Sequence, residues 1–272
     1  MAKRIRVAVA GAAGRMGREV VRAVLEADDL EIVAAVDHVL TGADAGVVAG
    51  AGACGVIISE SLDRALACAD VLVDFTVPTS AMANLRAALE AGVSPVVGTT
   101  GLTETDLAEA RALSGQVGVA AMVVPNFAIG AVLMMTFAAQ AARHLPDVEI
   151  VELHHERKLD APSGTAMLTA RRVAAARRQD AAPSLVPAGA EERTAGARGA
   201  EVEGIRIHSV RLPGLVAHQE VILGGVGQTL TIRHDSTDRR GFMPGVLLAV
   251  RVVRGMEGLC IGLEPALGLA PV

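Results

Sequence analysis

Ile5-Arg6-Val7-Ala8-Val9-Ala10-Gly11-Ala12-Ala13-Gly14-Arg15-Met16-Gly17 is the stretch that decides the fold. A short β-branched, apolar run fits a buried strand, and it stops at a glycine turn that opens a helix over about Arg15–Glu26. The turn has the spacing G-x-x-G-x-x-G. Glycines there permit a tight turn, close approach of backbone to a pyrophosphate, and close helix–strand contact. The amides and dipole at the helix N-terminus add positive potential. Alone, such a triplet is a weak sign in a chain with 29 glycines. A second strand, Ile32–Val36, ends at Asp37, 20 residues past Gly17, where a carboxylate can accept hydrogen bonds from an adenosine ribose. A plain strand-end turn is the other explanation of Asp37, but the loop and the acid together point to a dinucleotide site. The carboxylate disfavours a 2′-phosphate; His38 beside it, when protonated, partly offsets that.

Outward from this unit the same rhythm continues. Strand-like runs recur at Val56–Ile58, Val71–Asp74, Pro95–Val97 and Val119–Val124, separated by helix candidates Ser61–Ala67, Ser80–Ala91 and Glu104–Leu113. Ser80 is a start signal and Gly92 a stop signal. Short apolar strands separated by single helices predict a parallel sheet with crossover helices. Gly98-Thr99-Thr100-Gly101 and Val124-Pro125-Asn126-Phe127 stand at carboxyl ends of strands, where such sheets bind ligands. By itself Gly98–Gly101 is ordinary turn chemistry.

Around Pro125 the rhythm changes. Phe127–Leu145 is a long, almost wholly apolar helix candidate suited to a domain or subunit interface. A strand over Val148–His154 follows, then a helix from about Thr165 to Arg178. Residues 179–203, rich in Ala, Gly, Pro, Glu and Arg, predict a mobile surface loop. Ile205–Val210, Ala217–Leu223 and Gln228–Arg233 are strands in succession, hence an antiparallel or mixed sheet, and a last helix over about Pro244–Arg254 returns to the first domain. The fold class expected is α/β: an N-terminal Rossmann-like doubly wound parallel sheet, with a second α+β substrate-binding and oligomerisation domain of mixed sheet. The dinucleotide-binding domain takes 1–126, completed by about 238–272, and the second domain takes 127–237.

Bulk properties narrow the partners. The chain is 51% hydrophobic and 20% charged, which excludes wholesale disorder. With no Trp, no Tyr, four Phe and a net charge of −5, it lacks both stacking platforms and cationic field for nucleic acid. Cys54, Cys68 and Cys260 are far apart and odd in number, which fits reduced thiols of a cytoplasmic protein rather than a disulfide frame or zinc site. The apolar start is too short for a signal peptide, and no stretch reaches the ~18–20 uninterrupted apolar residues of a membrane span.

The most informative segment is Glu149-Ile150-Val151-Glu152-Leu153-His154-His155-Glu156-Arg157-Lys158-Leu159-Asp160-Ala161-Pro162-Ser163-Gly164-Thr165-Ala166. Histidine can donate a proton near neutrality. Lysine can grip a carboxylate or stabilise charge developing on a ring nitrogen. Ser163-Gly164-Thr165 opens a helix and presents backbone amides and hydroxyls to an anion. Together these describe a site for a carboxylate-rich molecule. Two structural alternatives stand beside it: an ion pair of Lys158 with Asp160 or Glu156, and an ordinary N-cap for Ser163. A metal is disfavoured, because adjacent strand residues face opposite ways and no third ligand is evident.

The run E-I-V-E-x-H-H-x-x-K-x-D-x-P-S-G-T-A resembles bacterial 4-hydroxy-tetrahydrodipicolinate (dihydrodipicolinate) reductases. The N-terminal V-A-G-A-A-G-R-M-G, D-F-T at Asp74–Thr76, G-T-T-G at Gly98, P-N-F at Pro125 and R-x-P-G at Arg211–Gly214 resemble them too, in the same order across essentially the whole chain. The resemblance implies NADH- or NADPH-dependent reduction of a small cyclic dicarboxylate in diaminopimelate and lysine biosynthesis. It implies that His154 is the proton donor, with Lys158 its partner and a substrate ligand. His155, Ser163, Gly164 and Thr165 would bind the substrate. Gly11, Ala12, Ala13, Gly14, Arg15, Met16, Asp37, Gly98, Thr99, Thr100, Val124, Pro125, Asn126 and Phe127 would line the dinucleotide. It also implies a homotetramer. Some members have an acid followed by Arg after the second strand, whereas this chain has Asp37-His38, so the choice between NADH and NADPH stays open. Two other classes are compatible with parts of this pattern: another two-domain dehydrogenase of amino-acid metabolism, and a dinucleotide-sensing regulator without catalysis.

Overall fold

The computed structural model describes residues 3–180 and 192–269, with the backbone alone at 178–180. In chain order the elements are β1 (Ile5–Ala10), α1 (Arg15–Leu25), β2 (Leu30–Val36), α2 (Ala45–Val48), β3 (Ile58–Ser59), α3 (Leu62–Leu66), β4 (Val71–Asp74), α4 (Pro78–Glu90), β5 (Ser94–Val97), α5 (Glu104–Val117) and β6 (Ala121–Val123). Then come α6 (Ile129–Ala141), β7 (Asp147–His154), α7 (Gly164–Asp180), β8 (Ala200–Val202), β9 (Ile205–Arg211), β10 (Ala217–Gly225), β11 (Gln228–Ser236), α8 (Met243–Val252) and β12 (Leu259–Ile261). The chain divides into two compact units, Met1–Phe127 with Phe242–Ala270, and Ala128–Gly241.

The first unit is built on a seven-stranded sheet in the order β12-β6-β5-β4-β1-β2-β3, parallel at every pairing. Its central strands are covered on both faces, so they can be apolar throughout: Val71, Leu72 and Val73 of β4 have no exposure. Leu72 packs on one face with Ala8, Ala10 and Ala88, while Leu85, Leu89 and Val97 form a second cluster with Ala121. Each fully buried Leu contributes roughly 1.5–3 kcal/mol. Strand order reverses at β1, between β2 and β4. The carboxyl ends of β1 and β4 therefore flank the crevice where such sheets bind ligands.

The second unit holds a mixed sheet in the order β11-β10-β7-β9-β8, with β7–β9 parallel and the other pairs antiparallel. Helices α6 and α7 lie on one face. On β7, Val148, Ile150 and Glu152 are buried in alternation, which puts all three, and His154, on the same side.

Several sequence expectations are corrected. The helix expected to start at Ser80 starts at Pro78, where a missing N–H is no loss. The long helix is confined to Ile129–Ala141 because Ala128 is still extended. Most of its apolar residues are buried within its own unit, with Phe137 left 46% exposed. Of the loop expected over residues 179–203, Asp180 ends α7, 181–191 lie outside the described residues, and Ala200–Val202 pairs with β9 as β8. Strand β12, which pairs with β6, was not foreseen. No helix among the described residues is long and apolar enough to cross a membrane.

Candidate active site

In the first unit the glycine turn follows β1 directly. Gly11 adopts φ +78°, and a Cβ there would stand 2.5 Å from the carbonyl oxygen of Phe75. A Cβ on Gly17 would stand 2.0 Å from the carbonyl oxygen of Gly11, so turn and helix can approach only without one. Helix α1 begins at Arg15 with Gly14 as an extended N-cap that supplies no side chain. Asp37 sits at the end of β2, its carboxylate accepting the amides of Ala13 and Val39 at 2.9 Å each. The His38 ring is exposed, with Nδ1 3.6 Å from the Asp37 carboxylate.

Two hollows open along this edge. One, of about 560 Å³, is lined by Gly11, Gly14, Asp37, His38, Phe75 and Thr76 among others. The other, of about 340 Å³, is lined by Arg15, Met16, Phe75, Gly98, Thr99 and Thr100 among others. Loops without room for side chains, a helix N-terminus and a carboxylate at the strand end suit a dinucleotide. Ala13 also lines the larger hollow. Ala12 is buried and supplies only backbone, its amide donating to Val36 at 3.2 Å. Val124, Pro125, Asn126 and Phe127 line neither hollow; the Phe127 ring packs on Phe75 with centroids 5.6 Å apart.

Sequence reasoning gave Phe75 and Thr76 no role, yet they wall both hollows. The signal was present, since Asp74-Phe75-Thr76 follows a strand just as the glycine loop does. Asp74, without exposure, organises this edge. Its carboxylate accepts from Thr76 N (2.9 Å), Thr76 Oγ1 (2.7 Å), Thr99 Oγ1 (3.0 Å) and Asn84 Nδ2 (2.7 Å), which ties the β4 loop to the β5 loop.

In the second unit His154 ends β7 and α7 begins at Gly164. Glu152, with no exposure, stands between them. Its Oε2 lies 2.5 Å from His154 Nδ1, and its Oε1 accepts the amide of Ser163 at 3.2 Å. Arg211, paired across the sheet with His154, reaches Oε2 through Nη1 at 2.9 Å and Oε1 through Nη2 at 2.8 Å. The same Nη2 donates to the carbonyl of Asp160 at 2.7 Å. Burial alone would push the Glu152 carboxyl up, but Arg211, Ser209 and His154 hold it below its ordinary value. Burial holds the His154 imidazole below its ordinary value, with Lys158 and Arg211 adding to that and Glu152 opposing it.

Lys158 Nζ is held by both oxygens of Asp160 at 2.8 Å, the ion pair that stood as one alternative. Lys158 in turn holds the Asp160 carboxyl below its ordinary range. Ser163 Oγ accepts the amide of Ala166 at 3.2 Å, the N-cap that stood as the other. His155 follows the strand, its Nδ1 accepting the amide of Arg157 at 3.2 Å. Gly164 is exposed and Thr165 partly buried at the start of α7. Among the described residues no cluster of His, Cys, Asp or Glu could hold a metal. Glu152 and Arg211 are the residues that sequence reasoning passed over.

Comparison with known proteins bears on both halves. Residues 5–127 match the family model "Dihydrodipicolinate reductase, N-terminus", and residues 130–267 match "Dihydrodipicolinate reductase, C-terminus". The 4-hydroxy-tetrahydrodipicolinate reductase of Moorella thermoacetica is 53% identical over 262 residues, covering 96% of this chain and 97% of its own. That of Desulfitobacterium hafniense is 51% identical over 267 residues, covering 96% and 98%. The dipicolinate-bound dihydrodipicolinate reductase from Paenisporosarcina sp. superposes with a TM-score of 0.85 at 42% identity, over 96% of this chain and 99% of that one.

Proposed function

The chain belongs to the dihydrodipicolinate reductase family, and from that membership we infer which of its residues carry each part of the reaction. The reaction is the NAD(P)H-dependent reduction of 4-hydroxy-tetrahydrodipicolinate to tetrahydrodipicolinate, in diaminopimelate and lysine biosynthesis. When bound along the first unit, the dinucleotide would be the source of the hydride for the ring carbon that gives up its hydroxyl as water. Gly11 to Met16 would hold its phosphates, Asp37 its ribose, and Gly98 to Thr100 with Val124 to Phe127 its remaining length.

In the second unit His154 delivers a proton to the neighbouring ring carbon and ends the cycle neutral. Lys158, the amides of Gly164 and Thr165 and the Ser163 hydroxyl hold the carboxylates, with His155 beside them, the Ser163 amide being already given to Glu152. Lys158 must leave Asp160 to do so, exchanging one carboxylate for another. One observation carries this reading. The Glu152–Arg211 pair gathers His154, Ser163 and the Asp160 carbonyl into a single hydrogen-bonded group, bringing proton donor, cation loop and anion turn together. Turnover and NADH binding of His154→Ala test it. Turnover falls roughly 10²–10⁴-fold while NADH binding holds, and near-normal turnover removes His154 from the mechanism.

The protein works in the cytoplasm as a homotetramer, with no nucleic-acid or membrane partner. Support for self-association comes from the sheet face of the second unit away from α6 and α7. There Val151, Leu153, Val210 and Ile222 are only partly buried. Sedimentation measures the assembly.

A further inference from the structure

We propose that Glu152 is the positioning residue of the proton transfer: it fixes the ring orientation and tautomer of His154 and anchors the anion-binding turn at Ser163 with the same carboxylate. The proposal rests on His154 being the acid. Its starting point is the pattern of β7. A glutamate on the face that buries Val148 and Ile150 is out of place for packing, and an uncompensated carboxylate would not persist there. The structure compensates it fully. Arg211 meets it with two nitrogens, Ser163 gives it a backbone amide, and His154 gives it a ring nitrogen.

The chemistry follows from protonation. Held ionised, Glu152 can only accept, so Nδ1 of His154 carries a proton in both charge states of the ring. The proton lost during turnover is therefore the one on Nε2, and the neutral ring left behind is already in the tautomer that can be reprotonated there. Arg211 has a second effect. By neutralising the carboxylate it keeps Glu152 from stabilising the imidazolium too strongly, so the acid stays willing to release its proton. The charged groups bearing on the ring are Glu152, Lys158 and Arg211, with Asp160 behind Lys158.

The test is a set of pH profiles of kcat, with KM and the inhibition constant of pyridine-2,6-dicarboxylate measured in parallel. Glu152→Gln places an amide where the carboxylate was; its N–H₂ facing Nδ1 opposes both the required tautomer and the imidazolium. The expected result is a kcat loss of roughly 10²–10⁴-fold, the range seen when the group that orients a functional histidine is lost. The limb of the profile that reports the acid moves to lower pH, while the inhibition constant stays within a few-fold. Glu152→Gln leaves Arg211 unpaired and can impair folding, so Glu152→Gln/Arg211→Gln is made beside it, with no buried charge remaining. That double variant is expected to fold and to keep the low kcat and the shifted limb. Wild-type kcat and limb in the double variant would reduce Glu152 to a partner for Arg211 and overturn the proposal. An unshifted limb with full kcat in a folded Glu152→Gln overturns it as well. Failure of the underlying reading looks different: His154→Ala then turns over normally, whatever the Glu152 variants do.

Discussion

The carboxylate of Asp37 accepts the backbone N–H of Ala13 at 2.9 Å, so the residue that closes β2 is hydrogen-bonded to the glycine loop that leaves β1. The acid is thereby fixed in the larger of the two hollows, on the space proposed above for an adenosine ribose. Both cofactors should support turnover, with kcat/KM for NADH equal to or above that for NADPH at neutral pH. Asp37→Asn should move the ratio toward NADPH by about tenfold, or about 1.4 kcal/mol. His38→Ala should move it the other way. Steady-state kinetics with both cofactors checks each, and a strong wild-type preference for NADPH refutes the role given to Asp37.

Gly17→Ala tests the close approach of turn and helix. The added methyl meets backbone, the Gly11 carbonyl, which cannot swing aside as a side chain could. The chain should lose about 1–3 kcal/mol of stability, and NADH binding should weaken because the loop is displaced. Thermal unfolding with and without NADH reads both effects. Unchanged NADH affinity would show that the turn does not hold the cofactor.

In the proposed function, the cation that captures the dicarboxylate is one already engaged by Asp160. Lys158→Ala should weaken pyridine-2,6-dicarboxylate by about 1.5–3 kcal/mol, the scale of a hydrogen bond to a charged group. Asp160→Asn removes the competitor and should tighten the same inhibitor several-fold. Inhibition constants decide the matter, and weaker binding in Asp160→Asn would mean that the pair holds Lys158 in place for the substrate.

Stability in acid should report Asp70. Hydrogen bonding by the Arg6 side chain lowers its pKa from the ordinary carboxylate range to about 2. A carboxyl depressed in the folded state stabilises above its unfolded pKa, near 4, and that stability disappears as pH falls toward 2. Arg6 is partly open to solvent, so the contribution at pH 7 is about 1–2 kcal/mol rather than the full linkage value. Asp70→Asn should lower the melting temperature at pH 7 by about 2–6 °C, and the gap to the parent should close between pH 4 and 2. A gap that persists at pH 2 assigns the loss to packing.

What the sequence could reveal follows from how far each signal travels along the chain. The parallel sheet was legible because buried strands announce themselves locally, as Val71–Asp74 does, and turns such as Gly11–Gly17 carry their own geometry. Strand β12 was not, because three residues, Leu259–Ile261, become a strand only by pairing with β6. The same holds for the site. His154, Lys158 and Ser163 stand close together in the chain, whereas Arg211 reaches Glu152 only through the β7–β9 register. Glu152 itself was within reach: alternation from Val148 through Ile150 puts it on the buried face, one strand step before His154.

Because β12 follows the whole second unit in sequence, its place in the sheet also bears on how the protein is made. Between Val123, which ends β6, and Leu259, which begins β12, lie 135 residues that must be translated first. At the ~5–20 residues per second of synthesis, β6 waits roughly 7–27 s for its neighbour. If the sheet forms on the ribosome, β6 is its open edge opposite β3 while the second unit emerges, and neighbouring nascent chains on a polysome can meet that edge before β12 covers it.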